Sequence, residues 1–169
     1  CLAGEAYFEV VRNDEIPFVV ETSQANIFVH GTEFCVRDDY LGRENLTTLV
    51  SGSVSVHKHG GKTYSIKPGQ QVSILGDSVR VAEVETMYFT SWKDGYFIFN
   101  QATLGEIMNE LAKWYDFDYF FVGNTTANIR LTARMKKYDD VNPVLNMLSR
   151  AGNVLFSSKG RVLMIESNR

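Results

Sequence analysis

Short apolar runs that alternate with polar residues dominate the first half of the chain. Between residues 6 and 84 these runs are rich in β-branched and aromatic side chains, as half-buried strands are. Turn-forming residues at 60–61, 67–70 and 76–77 separate neighbouring runs. No helical period interrupts the series. The pattern predicts an all-β N-terminal domain, built as an antiparallel sandwich, a barrel or a short solenoid.

The hydrophobic period changes between residues 91 and 115. An aromatic run at 96–99 predicts a buried strand, and a helix follows almost at once. Thr103 and Glu106 have the spacing of a capping box, in which the two side chains satisfy amides of the first helical turn. The apolar residues beyond them form one stripe at helical spacing: Leu104, Ile107, Met108, Leu111, Ala112 and Tyr115.

The remaining residues continue this mixture of strands and helices. Strands are predicted at 118–122 and 130–132, and a hairpin at 154–165. A second helix is expected after the Asp139-Asp140 cap and before Gly152. The order β-α-β-β-α-β-β favours a small α+β domain with two helices on one face of a sheet. We therefore expect two domains, at residues 1–90 and 91–169.

Composition and charge limit the classes of function. The net charge of −3 and the pI near 5.6 supply no basic footprint, which argues against nucleic-acid binding. No stretch is long and apolar enough to span a membrane. Because the chain starts at Cys1 without an initiator Met and strand-like sequence follows immediately, we expect a fragment of a longer protein.

Catalytic and metal-binding motifs are missing from the sequence. There is no nucleophile elbow, no phosphate-binding glycine motif and no Cys/His nucleophile pattern, so we expect neither an ordinary enzyme nor a cofactor. His57 and His59 lie two residues apart and share a strand face, which suits a metal ligand pair. Without a third ligand nearby, two solvated hairpin residues are the favoured interpretation.

Aromatic residues are concentrated in the second half, where most of them are expected to form a core. Successive strand residues point to opposite faces, so Phe120 and Phe121 cannot both pack against the helices. An apolar sheet face that no helix covers is a protein-binding surface. The candidate partner-binding residues are Tyr119, Phe120, Phe121 and Leu131.

Several ordered motifs resemble the FecR-type anti-sigma factors. They are GEAYFEV at 4–10, GTEFCV at 31–36, LVSGSVSV at 49–56 and KPGQ at 67–70. The second half, from Trp92 to the last hairpin, is similar to the C-terminal domain of the Bacteroidetes branch, which has a secretin/TonB short N-terminal fold. The likeness covers nearly the whole chain.

This resemblance implies the periplasmic sensor region of a regulator anchored in the inner membrane. In such a regulator, a cytoplasmic segment, absent here, holds an extracytoplasmic-function sigma factor, and one transmembrane helix connects it to the sensor region. The implied external partner is the N-terminal signalling domain of a TonB-dependent outer-membrane transporter. Docking of two such domains by strand addition is physically reasonable, because sheet edges carry unpaired amides and carbonyls.

The resemblance also draws attention to the Gly31-Thr32 bond. Some members of the family cleave themselves at a Gly-Thr bond, where the Thr hydroxyl attacks the preceding carbonyl and water opens the resulting ester. Glycine permits a strained backbone and Thr supplies the nucleophile, so the chemistry is reasonable. The simpler alternative is that Gly31 permits a bulge or turn before Phe34 and that Thr32 is an ordinary strand residue.

A second class of function stays open at this point. A carbohydrate- or cell-envelope-binding β-domain with an accessory α+β unit would need an aromatic platform in the first half of the chain. The aromatic candidates there are Tyr7, Tyr40 and Tyr64.

Overall fold

The structure is a computed structural model that describes residues 1–39, 44–123 and 125–168. It divides into two compact units, Cys1–Thr90 and Ser91–Arg169. The described part of the first unit is built almost entirely of antiparallel strands, and the second combines strands with two longer helices. The predicted fold class, an all-β half followed by a small α+β half, is confirmed.

Two antiparallel sheets form the first unit. One sheet has the order β1-β4-β5-β8-β9 and the other has the order β2-β3-β6-β7. The strands are β1 (Gly4–Val10), β2 (Phe18–Glu21), β3 (Ala25–Val29), β4 (Thr32–Asp38), β5 (Glu44–Ser51), β6 (Val54–Lys58), β7 (Thr63–Ile66), β8 (Gln70–Leu75) and β9 (Ser78–Glu83). Of the three architectures that the sequence allows, the structure therefore has the sandwich.

The core of the first unit consists of apolar side chains from both sheets, most of them aliphatic. Alternation along each strand directs them inward, as in Ala25, Ile27 and Val29 of β3. Phe34 of β4 is fully buried and stacks on Phe8 of β1, with ring centroids 5.0 Å apart. A short helix, α1 (Met87–Thr90), ends the unit. The sequence pattern did not predict this helix, because four residues are too few to show a period.

The second unit follows the predicted order of strands and helices. Its elements are a 3-10 turn (Ser91–Asp94), β10 (Tyr96–Thr103), α2 (Leu104–Tyr115), β11 (Asp118–Phe121), a 3-10 turn (Thr126–Asn128), β12 (Arg130–Lys136), α3 (Asn142–Gly152), β13 (Val154–Lys159) and β14 (Val162–Ser167). The expectation of a single sheet is wrong. Strands β10 and β12 form a two-stranded sheet, and the other strands form a three-stranded sheet in the order β11-β14-β13.

Both long helices contact strands of both sheets. Helix α2 packs against β10 and β11, and α3 packs against β12 and β13. Their buried residues, including Leu104, Leu111 and Leu148, join Phe97 of β10 and Ile165 of β14 in one core. Within residues 91–123 and 125–168, each sheet therefore has an inner face towards the helices and an outer face that neither α2 nor α3 covers.

The start of α2 has the predicted capping box. The Thr103 Oγ1 accepts a hydrogen bond from the Glu106 amide at 3.1 Å, and the Glu106 Oε2 accepts one from the Thr103 amide at 2.7 Å. Hydrogen bonds from the Thr103 amide, and then from its hydroxyl, lower the pKa of the Glu106 carboxyl. The helix ends at Tyr115, and Asp116 adopts a left-handed conformation at its C-cap.

The second long helix differs from the prediction at both ends: its N-cap residue is Val141, which follows the predicted Asp139-Asp140 cap and makes no side-chain cap hydrogen bond. Asp140 accepts a hydrogen bond from the Asn142 amide at 3.0 Å, where α3 begins. Gly152 was expected to follow the helix, yet it is the last helical residue, and Asn153 adopts the left-handed conformation instead (φ 50°). Asparagine tolerates this conformation, whereas Gly152 is buried within ordinary van der Waals distance of Leu131.

Candidate functional site

The outer face of the β11-β14-β13 sheet is the main apolar surface of the second unit. Residues Phe120 and Met164 lie opposite each other in the parallel β11-β14 pair, and Val122 follows on the same side of the chain. Four of its side chains are 37–50% exposed, with Phe120 the most exposed. We call this surface the apolar face; its residues are Phe120, Val122, Leu155, Val162 and Met164.

The other candidate residues point inward. Phe121 is opposite the fully buried Ile165 and packs against the core of the second unit. Tyr119 lies on the same side, and its hydroxyl donates to Asn109 Oδ1 at 2.6 Å. Partial burial raises the pKa of the Tyr119 hydroxyl. Leu131 is half-buried against this core as well. The structure therefore places only Phe120, of the four candidates, on an exposed face.

Sequence reasoning missed most residues of the apolar face. Leu155 and Val162 lie in the continuous apolar runs VLF and VLMI of the predicted hairpin, and these runs show no polar alternation that would mark a solvent side. Their exposure depends on which face the helices cover. That coverage is a long-range property, and no local pattern encodes it.

Most of the remaining aromatic residues in the second unit are structural. The ring centroids of Trp92 and Trp114 lie 5.5 Å apart, and those of Phe97 and Trp114 lie 6.1 Å apart in a T-shaped arrangement. Lys137 places its Nζ 3.4 Å from the Trp114 ring centroid, a cation-π contact. The Tyr115 hydroxyl donates to the Tyr138 carbonyl at 2.9 Å. This cluster attaches the end of β12 to α2.

The Gly31-Thr32 bond lies where the chain passes from β3 in one sheet to β4 in the other. Gly31 has φ +138°, and a Cβ there would lie 2.6 Å from the Arg12 Cα. Thr32 is only 3% exposed, and its hydroxyl donates to the Ser53 carbonyl at 2.9 Å. A Cβ on Gly52 would lie 2.5 Å from the Gly31 carbonyl oxygen. The bond is therefore enclosed by backbone on two sides.

The histidine pair has ordinary polar partners. His57 Nε2 lies 3.1 Å from Ser55 Oγ, and His59 Nε2 lies 3.1 Å from Asn26 Oδ1. Among the described residues, no three His, Cys, Asp or Glu side chains gather as a metal site would require.

Of the three candidate platform tyrosines, the two that the structure describes do not share one surface of a sheet. Tyr7 lies in β1 and Tyr64 in β7, which belong to different sheets, and Tyr64 packs against the core. Tyr40 lies outside the described residues. No helix within residues 1–39, 44–123 and 125–168 has the length and apolar character needed to cross a membrane.

Comparisons with known proteins bear on both units. The family model described as FecR protein matches residues 1–55, and the model described as FecR, C-terminal, matches residues 96–165. None of the curated proteins matches the chain.

Two crystal structures of a candidate anti-sigma factor from Parabacteroides distasonis share the fold. Their TM-scores are 0.81 and 0.80, each at 19% sequence identity. Each alignment covers 99% of this chain and 79% or 78% of the other. The two family models, in chain order, agree with the resemblance seen in the motifs. The chain belongs to the FecR family of anti-sigma factors.

Proposed function

We propose that this chain is the periplasmic sensor region of a membrane-anchored FecR-type regulator. Membership of the family implies a sigma factor as the regulated partner. In this proposal the region receives its signal from the N-terminal signalling domain of a TonB-dependent outer-membrane transporter. The sigma factor is held elsewhere, by a cytoplasmic segment of the regulator, and the membrane anchor also lies outside the present chain.

The apolar face is the observation that supports docking of a protein partner. It combines Phe120, 50% exposed, with Val122, Leu155 and Val162, each more than a third exposed. A neighbouring group of large apolar side chains on a rigid sheet is a typical protein-binding surface. Asp118 lies opposite Val162, and Leu155 lies opposite Glu166, so acidic groups border the apolar residues. An apolar centre with a polar rim suits a transient signalling contact.

Calorimetric titration with the signalling domain of the cognate transporter tests this proposal. We expect a dissociation constant in the micromolar range or tighter, as is usual for transient signalling interfaces. Apolar burial on binding also predicts a negative heat-capacity change. Absence of heat and of any shift in a parallel NMR titration, with both partners folded, would contradict the proposal.

We further propose that the chain stays uncut at Gly31-Thr32. The Thr32 hydroxyl is buried and engaged with the Ser53 carbonyl, so both attack on Gly31 and access of water are hindered. Intact-mass measurement after prolonged incubation should give one species near 19.1 kDa. Two fragments, residues 1–31 and 32–169, that together weigh one water molecule more than the chain would show self-cleavage.

A further inference from the structure

Strand β12 carries a row of basic residues on the outer face of the two-stranded sheet. Its inward residues are Leu131, Ala133 and Met135, so the alternate residues Arg130, Thr132, Arg134 and Lys136 point outward. All four are exposed. The row contains three cations within seven residues, although the chain as a whole has a net charge of −3.

No acidic residue of the same sheet neutralises this row. Strands β10 and β12 contain no Asp or Glu. Arg134 lies over the Tyr96 ring, 4.4 Å from its centroid, and Arg130 donates to the Gln101 carbonyl at 2.6 Å. Glu106 at the start of α2 is near enough to Arg130 for the guanidinium to help lower its pKa. Within the described residues, neither Arg134 nor Lys136 forms an ion pair.

The same residues lie at a free strand edge. Among the described residues, β12 pairs with β10 alone. The Lys137 amide donates to the Gly95 carbonyl at 2.8 Å, which fixes the side of the strand that faces β10. Since amides alternate in direction along a strand, those of Thr132, Arg134 and Lys136 face the unpaired edge. We call these three residues together with Arg130 the basic edge.

We propose that the basic edge binds an extended acidic segment of a partner protein, which adds to the sheet beside β12. A strand has the matching repeat, because its alternate side chains lie about 6.8 Å apart on one face. Acidic residues at alternate positions would then lie directly opposite Arg134 and Lys136, and such pairs of opposite charge stabilise the added strand. Backbone hydrogen bonds to the edge supply affinity that does not depend on side chains.

An acidic strand fits this surface better than an anionic membrane does. Membrane-binding basic clusters attract anionic lipid headgroups without regard to strand register. The cations of β12 instead lie at alternate residues, as the repeat of a strand requires. Two of them, Arg134 and Lys136, also have their amides facing the unpaired edge. This inference does not depend on the proposed function. It rests on the charges and the free edge of the β10-β12 sheet, whereas the apolar face belongs to the β11-β14-β13 sheet.

An NMR titration of the isotopically labelled chain tests the inference. The probe is an end-blocked octapeptide in which glutamate alternates with threonine; the control peptide has lysine in place of glutamate. We expect saturable shifts at Thr132, Arg134 and Lys136 with the acidic peptide alone. Raising the salt concentration should weaken binding, because the charges are exposed. Amide exchange at Arg134 and Lys136 should slow on binding, since strand addition gives these amides hydrogen-bond partners.

Charge variants make the test specific. R134E/K136E should weaken peptide binding at least tenfold, and the milder R134Q/K136Q should weaken it several-fold. K62E/K67E makes the same change in net charge as R134E/K136E on exposed residues of the first unit and should leave binding unchanged. Unchanged amide exchange at Arg134 and Lys136, or equal shifts with the lysine peptide, would overturn the proposal. Sedimentation with phosphatidylglycerol vesicles that requires Arg134 and Lys136, without peptide binding, would identify a membrane surface instead.

Discussion

Replacing Gly52 by alanine is expected to lower the free energy of unfolding of the first unit by about 3 kcal/mol. Gly52 has φ +88°, a conformation that L residues adopt only with strain. In addition, the new Cβ would lie 2.5 Å from the Gly31 carbonyl oxygen and 2.9 Å from the Thr32 Oγ1. Both are held in place, because Thr32 is buried and bonded to the Ser53 carbonyl. Urea unfolding monitored on the first unit measures the loss.

Gly60 provides the matched control. It also has a positive φ, +64°, but nothing lies within 4 Å of the position its Cβ would take. Gly60→Ala should therefore lower the free energy of unfolding only by the cost of backbone strain, about 1 kcal/mol. Equal losses for the two variants would mean that the close approach of Gly52 to Gly31 contributes nothing.

Replacing Phe120 by aspartate is expected to weaken binding of the transporter signalling domain at least tenfold, about 1.4 kcal/mol. The substitution removes the aromatic ring of the apolar face and places a charge where the partner must exclude water. Folding should change little, since Phe120 is 50% exposed and lies outside the core. The calorimetric titration described above, repeated with the variant, measures the change.

Met147→Asp serves as the control for Phe120→Asp. Met147 is 39% exposed on α3 and does not belong to the apolar face. The Met147→Asp substitution introduces the same charge as Phe120→Asp, and it does so at an exposed apolar residue of the same unit. An equal loss of affinity in both variants would point to general electrostatic repulsion and would remove the support for docking at the apolar face.

Features encoded by local sequence were predictable. The capping box at Thr103 and Glu106 joins residues three apart, and the apolar stripe of α2 repeats every turn, so both are visible without knowledge of the fold. The strands of the first unit were visible for the same reason, as was the order of elements in the second. The family resemblance rests on such local motifs, which are short but lie in a fixed order.

Features that depend on distant residues were not predictable. Gly52 lies close to Gly31, although the two residues belong to different loops between strands. Similarly, β1 pairs with β4, and two strands lie between them in the chain. Likewise, the division of the second unit into two sheets determines which face of β12 is exposed. The alternation of cations in β12 was present in the sequence, but only the position of α3 shows that they point outward.

The most direct test of the proposed relay is a sigma-dependent reporter in cells that contain the complete regulator, its sigma factor and its transporter. The regulator is present as wild type, as F120D or as M147D, at equal cellular levels. Adding the transporter's substrate should activate the reporter with wild type and M147D, and F120D should abolish or strongly reduce this response. An undiminished response to substrate in a regulator that lacks residues 91–169 would contradict the account.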